Sequence, residues 1–279
     1  MGQFYRMQKR HTDRQQYFNE LYATCQKYYI PYIKAHHSLT RNTQILEIGC
    51  GDGGNLLPFS EIGCTTTGID ISETRIRQAT SFFAKHNASG NFTASDIFNI
   101  NGSEYPADII ICHDVIEHIS NKREFLIRIK RFMKPGGITF IAFPAWQMPF
   151  GGHQQICRSK ILSYLPFVHL LPNPLYRAII RMCHETDHRE AELLQIKNSR
   201  MTIESFERIC ADTGLSILNR QLFLINPHYE VKFGLRPHKL NSFISSIPYF
   251  RNFLSSSCFY ILKSKNKNDN QFIAHYTFV

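Results

Sequence analysis

The chain reads as an α/β protein built on a parallel sheet with helices on both faces. Three observations predict this. Short apolar runs alternate with amphipathic segments between residues 44 and 144. The runs are apolar along their length, as strands covered on both faces are. A glycine-rich turn, "GCGDGG" at 49–54, directly follows the first run, where open sheets of this kind meet their ligands.

Before the sheet, "DRQQYFNELYATCQKYYIPYIKAHH" at 13–37 places Tyr17, Leu21, Tyr22, Cys25, Tyr28 and Tyr29 at helical spacing, and Pro31 ends or kinks that helix. "QILEIGC" from 44 is the first strand and "TTTGIDI" at 65–71 the second. "ISETRIRQATSFFAKHN" is a helix with Ser72 as its N-cap. "NFTASDI" at 91–97 and "ADIIICHDV" at 107–115 are strands three and four. "SNKREFLIRIKRFMKPGG" is a helix stopped by Pro135 and its glycines, and "GITFIAFP" at 137–144 is strand five. From 149 to about 200 the alternation stops, and short helices broken by Pro166, Pro172 and Pro174 are expected. It resumes with a helix capped by Thr202 and ended by Gly214, then a strand at 215–225. Near the end "CFYILK" and "QFIAHYTFV" both read as strands around the polar turn "SKNKNDN", either able to be the last core strand.

The composition bounds the function. A chain of 279 residues with 43% hydrophobic and 19% charged residues suits one or two packed domains. No uncharged apolar run reaches the length of a membrane span. No apolar segment follows the basic start, so no signal peptide is expected, and Arg6 stands where myristoylation wants Ser or Thr. Eight scattered cysteines without a CxxC pair read as free thiols in the reducing cytoplasm. A net charge of +10 favours acidic partners or simple solubility.

The chemistry starts at "ILEIGCGDGGN". Gly49, Gly51 and Gly53 let the backbone turn sharply and come close to a ligand. That pattern alone also suits a dinucleotide. Asp70, ending strand two, can accept ribose hydroxyls of either a nicotinamide or a methyl-donor cofactor. Glu47 discriminates: a carboxylate beside the loop suits an amine or sulfonium and repels a pyrophosphate. Asp96 and Ile97, ending strand three, suit an adenine amine and ring.

With these residues in place, the chain resembles the class I S-adenosyl-L-methionine-dependent methyltransferases, of the broad type that includes ubiquinone-biosynthesis O-methyltransferases. "LEIGCGDG", "GIDIS", "SDIFN", "ICHDVIEHI" and "FMKPGGITFIAFP" match its successive motifs, over about 40–145 and more loosely 200–225. The resemblance implies a Rossmann-like, seven-stranded sheet with a helical insertion after strand five. It divides the chain into an N-terminal helical cap (1–40), a cofactor-binding core (41–148), an inserted substrate-side cap (149–200) and a C-terminal completion (201–279) with a second insertion near 228–256. It implies S-adenosyl-L-methionine as cofactor. Glu47, Gly49, Cys50 and Gly51 would border the methionine moiety, Asp70 and Ile71 the ribose and adenine edge, Asp96 and Ile97 the adenine, and His113 the methyl-donor side. Asp52 and Gly53 follow the family pattern less strictly.

Two stretches bear on the acceptor. In "HDVIEHI", Asp114, Glu117 and His118 can share a helical face. Some relatives of ubiquinone type hold a divalent cation with such a set, but here the first acid is the shorter Asp. A capping box of Asp114 and Glu117 is the favoured reading, and no metal is assigned. "PFGGHQQICRSK" at 149–160 follows strand five at the ligand side of the sheet. It offers His153 as general base, with His118 as second choice, and Gln154 and Gln155 to orient hydroxyls. A zinc site of His153 and Cys157 lacks further ligands.

The expected reaction is in-line methyl transfer to an oxygen of a small molecule, a glycan or a lipid-linked intermediate. Alternatives are a nucleic-acid methyltransferase and a non-catalytic binding module. "NPHY" at 226–229 resembles the Asn-Pro-Pro-Tyr loop of amino-methylating nucleic-acid enzymes but lies after the wrong strand. The apolar, aromatic and basic stretches 160–182 and 243–263 suit either insertion cores or a peripheral membrane contact.

Overall fold

The structure is a computed structural model that describes residues 13–265. The N-terminal segment is a helix, α1 (Arg14–Thr24), that passes through one wider turn at Cys25–Tyr29 into α2 (Ile30–Lys34). Asp13 caps it by accepting from the backbone N–H of Gln16 at 2.9 Å. Pro31 kinks the helix without ending it. Its missing N–H falls in the first turn of α2, where the wide turn has already broken the regular bonding.

The sheet contains β1 (Gln44–Ile48), β2 (Thr65–Asp70), β3 (Asn91–Ala94), β4 (Ala107–His113), β5 (Met133–Phe143), β6 (Leu215–Ile225), β7 (His238–Lys239) and β8 (Ser257–Ser264). Their order is β3-β2-β1-β4-β5-β8-β6-β7. The first five are parallel, and β8 runs antiparallel between β5 and β6. Between β1 and β4 the chain changes direction across the sheet, and such a switch opens a crevice at the carboxyl ends of the strands. "CFYILK" forms most of β8, so it is the strand that completes the core. "QFIAHYTFV" lies outside the described residues. β7 adds a two-residue edge to the seven strands expected.

Side chains alternate across the sheet, and each face has its own cover. On one face Leu46, Ile110 and Cys112 pack with Phe125, Leu126 and Ile129 of α5 (Lys122–Lys130) and Phe206 and Cys210 of α9 (Ile203–Asp212). On the other, Ile45, Ile109 and Ile111 pack with Phe18, Tyr29 and Ile33 of the N-terminal segment, Phe59 of α3 (Leu57–Ile62) and Phe82 and Phe83 of α4 (Glu73–Lys85). Helix α5 ends at Lys130, before Pro135 can stop it. Pro135 and its glycines lie in β5, next to an irregularity in the β4–β5 pairing.

Residues 144–202 leave the sheet and build a small core of their own. Cys157, Leu162, Val168, Tyr176, Ile180 and Leu193 pack between α6 (Lys160–Tyr164), α7 (Asn173–Met182) and α8 (Asp187–Asn198). Pro174 sits in the first turn of α7, which needs no N–H there. A second excursion after β6 holds α10 (His228–Phe233), α11 (Ser242–Ser246) and α12 (Arg251–Leu254). No helix among the described residues is long and apolar enough to cross a membrane.

Thr202 and Ser205 form a reciprocal capping box at the start of α9. Replacing Thr202 by Ala should lower the urea midpoint at constant slope, by about 1 kcal/mol of stability.

Candidate active site

Glu47 points to the face covered by α1 and α2, at the last turn of β1 before the glycine loop. It is 1% exposed. One carboxylate oxygen accepts from Asn55 Nδ2 at 2.7 Å, while Oε2 has no hydrogen-bond partner among the described residues. Burial, opposed by the Asn55 bond and reinforced by the Asp70 charge, pushes its carboxyl up to about 8. A buried acid with one open oxygen is a ready partner for a cationic ligand group.

The loop that follows is shaped by three residues at positive φ, Gly49, Gly51 and Gly53, each for a different reason. At Gly49 a Cβ would lie 2.3 Å from Val115 Cγ2, so the β4 turn presses on the backbone. At Gly51 a Cβ would meet nothing within 4 Å, so this backbone faces open space. At Gly53 it would meet the Phe83 and Phe92 rings at 3.2 Å, so Gly53 serves helix packing. Asp70 locks the loop: Gly51 N–H donates to Oδ2 and Ser72 N–H to Oδ1, each at 2.8 Å. The Cys50 side chain is buried in the core beneath the loop, leaving only its backbone to border a ligand.

A cleft of about 370 Å³ opens at the switch point, lined by Gly49, Asp70, Asp96, Asp114, Val115 and His118 among others. Ile71 and Ile97 line it too; Ile71 stands largely exposed and Ile97 is buried. Asp96 uses one oxygen to hold its own turn, accepting from Phe98 N–H at 2.9 Å. His113 lies outside that lining. Its side chain is on the face that Glu47 and the N-terminal segment share, where it pairs with the Tyr29 hydroxyl at 2.8 Å and lies 3.6 Å from Asp114 Oδ2.

Asp114 is the residue that sequence reasoning undervalued. The capping box expected of Asp114 and Glu117 does not form. The 3₁₀ turn Ile116–His118 has no side-chain cap, and Asn121 caps α5 instead. Asp114 takes φ 52°, a strained conformation for a residue with a side chain, and its carboxylate is half exposed. Its negative charge raises the hydroxyl pKa values of Tyr17, Tyr29 and Tyr229, after burial. These tyrosines come from α1, the wide turn and α10. Tyr17 and Tyr29 were legible in the sequence only as apolar periodicity, and Tyr229 only as part of "NPHY".

His118 and His153 meet edge to face, ring centroids 5.0 Å apart. Both lose basicity, His118 through burial and His153 through burial and the His118 charge, His153 to about 4. His153 is therefore a weaker base than its ordinary value promised. Gln154 is not an acceptor-orienting group: fully buried, its Nε2 donates to the carbonyls of Pro149 and Leu165. Cys157 faces the insertion core, away from His153. Glu117 is buried, neither oxygen has a hydrogen-bond partner among the described residues, His118 Nε2 lies 3.8 Å from Oε1, and burial holds its carboxyl well above the usual range. Donor atoms of Glu117, His118 and His153 lie within 4.8 Å of one another, so this trio, rather than one including Cys157, is where a cation fits.

The amino-terminal helix closes the remaining side. Arg14 donates through Nε to the fully buried Asp52 at 2.8 Å and pairs with it again through Nη2; Arg75 Nη1 approaches the same carboxylate at 3.2 Å. Burial still raises Asp52, to about 6, against the opposing pull of Arg14.

An open α/β sheet with a glycine loop, an acid ending each of β2 and β3, and a mostly enclosed carboxylate beside the loop defines a nucleoside-binding transferase architecture. A family profile described as a methyltransferase domain matches residues 27–219, and the chain belongs to this family, the class I S-adenosyl-L-methionine-dependent methyltransferases. The ubiquinone biosynthesis O-methyltransferase of Rickettsia typhi is 32% identical over 116 residues, covering 42% of this chain and 47% of that protein. Its counterpart in Rickettsia bellii (strain OSU 85-389) is 33% identical over 116 residues, 41% of this chain and 48% of the relative. The chain thus spans about half the length of the curated relatives it matches. Among solved structures, a methyltransferase from Clostridium acetobutylicum aligns with TM-score 0.55 at 12% identity, over 88% of this chain and 92% of that one. A plantazolicin methyltransferase in complex with a desmethyl substrate analogue and SAH aligns with TM-score 0.54 at 16% identity, over 93% and 89%. These likenesses show the fold.

The methyl donor of this family is S-adenosyl-L-methionine, and the residues present fit it. The open Glu47 oxygen suits its cationic end, the bare Gly51 backbone admits close approach, and Asp70 and Asp96 supply acceptors for the nucleoside.

Because folded Glu47 keeps its proton to about 8, its contribution to the stability of the ligand-free protein is complete below the ordinary carboxylate range and lost as pH rises through that value. A cation placed against Glu47 reverses the preference. Titration of S-adenosyl-L-methionine near pH 7 should release about one proton per ligand, read from calorimetry in buffers of different ionisation enthalpy, and Glu47→Gln should abolish the release. Gly51→Ala should cost stability only about 1 kcal/mol, yet weaken cofactor binding more than about tenfold, because its Cβ projects into open space.

Proposed function

We propose that the chain transfers a methyl group from S-adenosyl-L-methionine to an oxygen of a small molecule, a glycan or a lipid-linked intermediate, in the cytoplasm. The observation that carries this reading is the position of His118. It lines the cofactor cleft, and it also lines an adjoining cavity of about 270 Å³ with His153, Ile156, Glu192, Gln195 and Ile196. Cofactor and acceptor spaces meet at one imidazole.

S-adenosyl-L-methionine, when bound, supplies an electrophilic methyl on a positively charged sulfur. The chain's residues do the rest. Glu47 holds the cationic end, Asp70 and Asp96 orient the nucleoside, and α1 with its Arg14–Asp52 pair excludes water. His118, neutral at physiological pH, takes the proton of the acceptor hydroxyl as the oxygen attacks. His153 packs on its ring and fixes its orientation. Most of the rate comes from alignment of the two reactants.

A second reading is favoured by the two Glu117 oxygens that lack a hydrogen-bond partner among the described residues: a divalent cation held by Glu117, His118 and His153, polarising the acceptor oxygen in place of a base. Two imidazoles and one carboxylate suit zinc or a similar transition ion better than magnesium.

Product formation with radiolabelled donor against phenols, sugars and lipid-linked hydroxyl compounds tests the activity. His118→Ala should lower kcat by about 10²–10⁴ while leaving donor affinity close to unchanged. Methylation that survives chelation, in protein without bound metal, supports the base. Activity lost on chelation and restored by zinc supports the cation. Donor binding without turnover of any acceptor class would leave a binding module, and methylation of nucleic acid alone would overturn the small-molecule reading.

A further inference from the structure

Two segments that leave the sheet share an unusual composition. Neither Asp nor Glu occurs between Phe125 and His184, nor between Val231 and Lys265. Exposed cations remain on both: Arg158 and Lys160 on the first, Arg236 and Lys239 on the second.

The same segments expose large apolar side chains. Ile161 on α6 is 77% exposed and Phe243 on α11 is 74% exposed. Neither helix gains core contacts from them, since Leu162 beside Ile161 already faces the insertion core. Phe167 and Tyr249 both take φ 63°, a backbone conformation that bulky side chains rarely adopt, and both side chains stay exposed. Two strained turns thus present aromatic rings to solvent. The two segments meet where Phe167 approaches Phe253, ring centroids 6.4 Å apart.

We propose that this face docks on the surface of an anionic lipid bilayer. Aromatic and aliphatic side chains at turn tips enter the interfacial region, while the flanking Lys and Arg side chains reach lipid phosphates. Charge selects this occupant over a second copy of the chain. The acids nearest these segments are already engaged, Glu185 by the Ser159 N–H and Glu204 by the Tyr249 N–H and Arg251, so a symmetric contact would set two segments that carry cations and no acids of their own against themselves. Spanning is excluded by helix length among the described residues, so the contact is peripheral. The first segment also carries His153, which lines the acceptor cavity, so docking places that cavity close to the bilayer. The docking itself holds whether or not the acceptor is a lipid.

The test is co-sedimentation of the full chain with vesicles of phosphatidylcholine alone, or with about a third phosphatidylglycerol, at low and high salt. The expected result is binding at least about tenfold tighter to the anionic vesicles and weakened by salt. Ile161→Ser combined with Phe243→Ser should cut it a further tenfold or so, and Lys160→Glu with Arg236→Glu should do the same, with calorimetric binding of S-adenosyl-L-methionine unchanged as proof of folding. Equal partition onto neutral vesicles, no partition at all, or binding indifferent to both double variants would overturn the proposal. So would a dimer in light scattering that the apolar double variant dissociates, because the face would then belong to a second copy.

Discussion

The structure turns on one enclosed carboxylate. Glu47 ends β1 on the side that α1 and α2 cover, and its solvation by water is replaced by a single bond from Asn55. Asn55 can reach back only because the intervening loop folds over itself in a few residues, and that is the task of the positive-φ glycines. The loop in turn is pinned by Asp70 through the Gly51 N–H. Losing any one of these parts leaves a buried acid with no partner, a costly state in a low-dielectric interior. The cover, the loop and the second strand are therefore answers to one electrostatic problem.

That problem is wider than one residue. The chain carries +10 overall, yet Glu47, Asp52, Asp70, Asp96, Asp114 and Glu117 gather around the carboxyl ends of β1 to β4. Burial is the main cause of the raised carboxyls there, and neighbouring charge adds to it: Asp70 acts on both Glu47 and Asp52, and Asp114 on Glu117. Arg14 and Arg75 offset only Asp52. An acidic cluster inside a positive molecule selects ligands by sign: a cationic donor, which favours the ionised form of Glu47, enters the cleft, while the outer surface attracts anions.

The core was legible because its signals are local. Glu47, the glycines, Asp70 and Asp96 sit at strand ends, where an apolar run stops and a polar residue must face the crevice. The surroundings of Asp114 were not. Tyr29 pairs with His113, and Tyr17 and Tyr229 feel Asp114 from elements distant in sequence. Periodicity marks Tyr17 and Tyr29 as apolar, "NPHY" marks Tyr229 only as part of a loop, and neither says where their hydroxyls lie. The motif "HDVIEHI" misled for a related reason. Its spacing allows a helical capping box, but the segment folds as a tight 3₁₀ turn with Asp114 at positive φ, and Val115 lies close against the Gly49 backbone. His153 was found by its position after β5, while its weak basicity arises first from burial and then from a neighbour, His118, that lies on another element.

The division of labour between core and additions follows from these contacts. The sheet supplies the cofactor side from its own strand ends. Three pieces outside it surround those strand ends: α1–α2, the segment after β5, and the segment after β6. These pieces are tied to one another as well as to the sheet. Lys27 and Tyr28 both hold Glu230 of α10, Thr24 pairs with His228 at 2.9 Å, and Lys122 of α5 donates to the carbonyl of Ser199, just past α8. A helix that moved to admit a ligand would pull on α10 and so on Tyr229 beside Asp114. The N-terminal segment and α10 are thus held together by side chains that the core does not own.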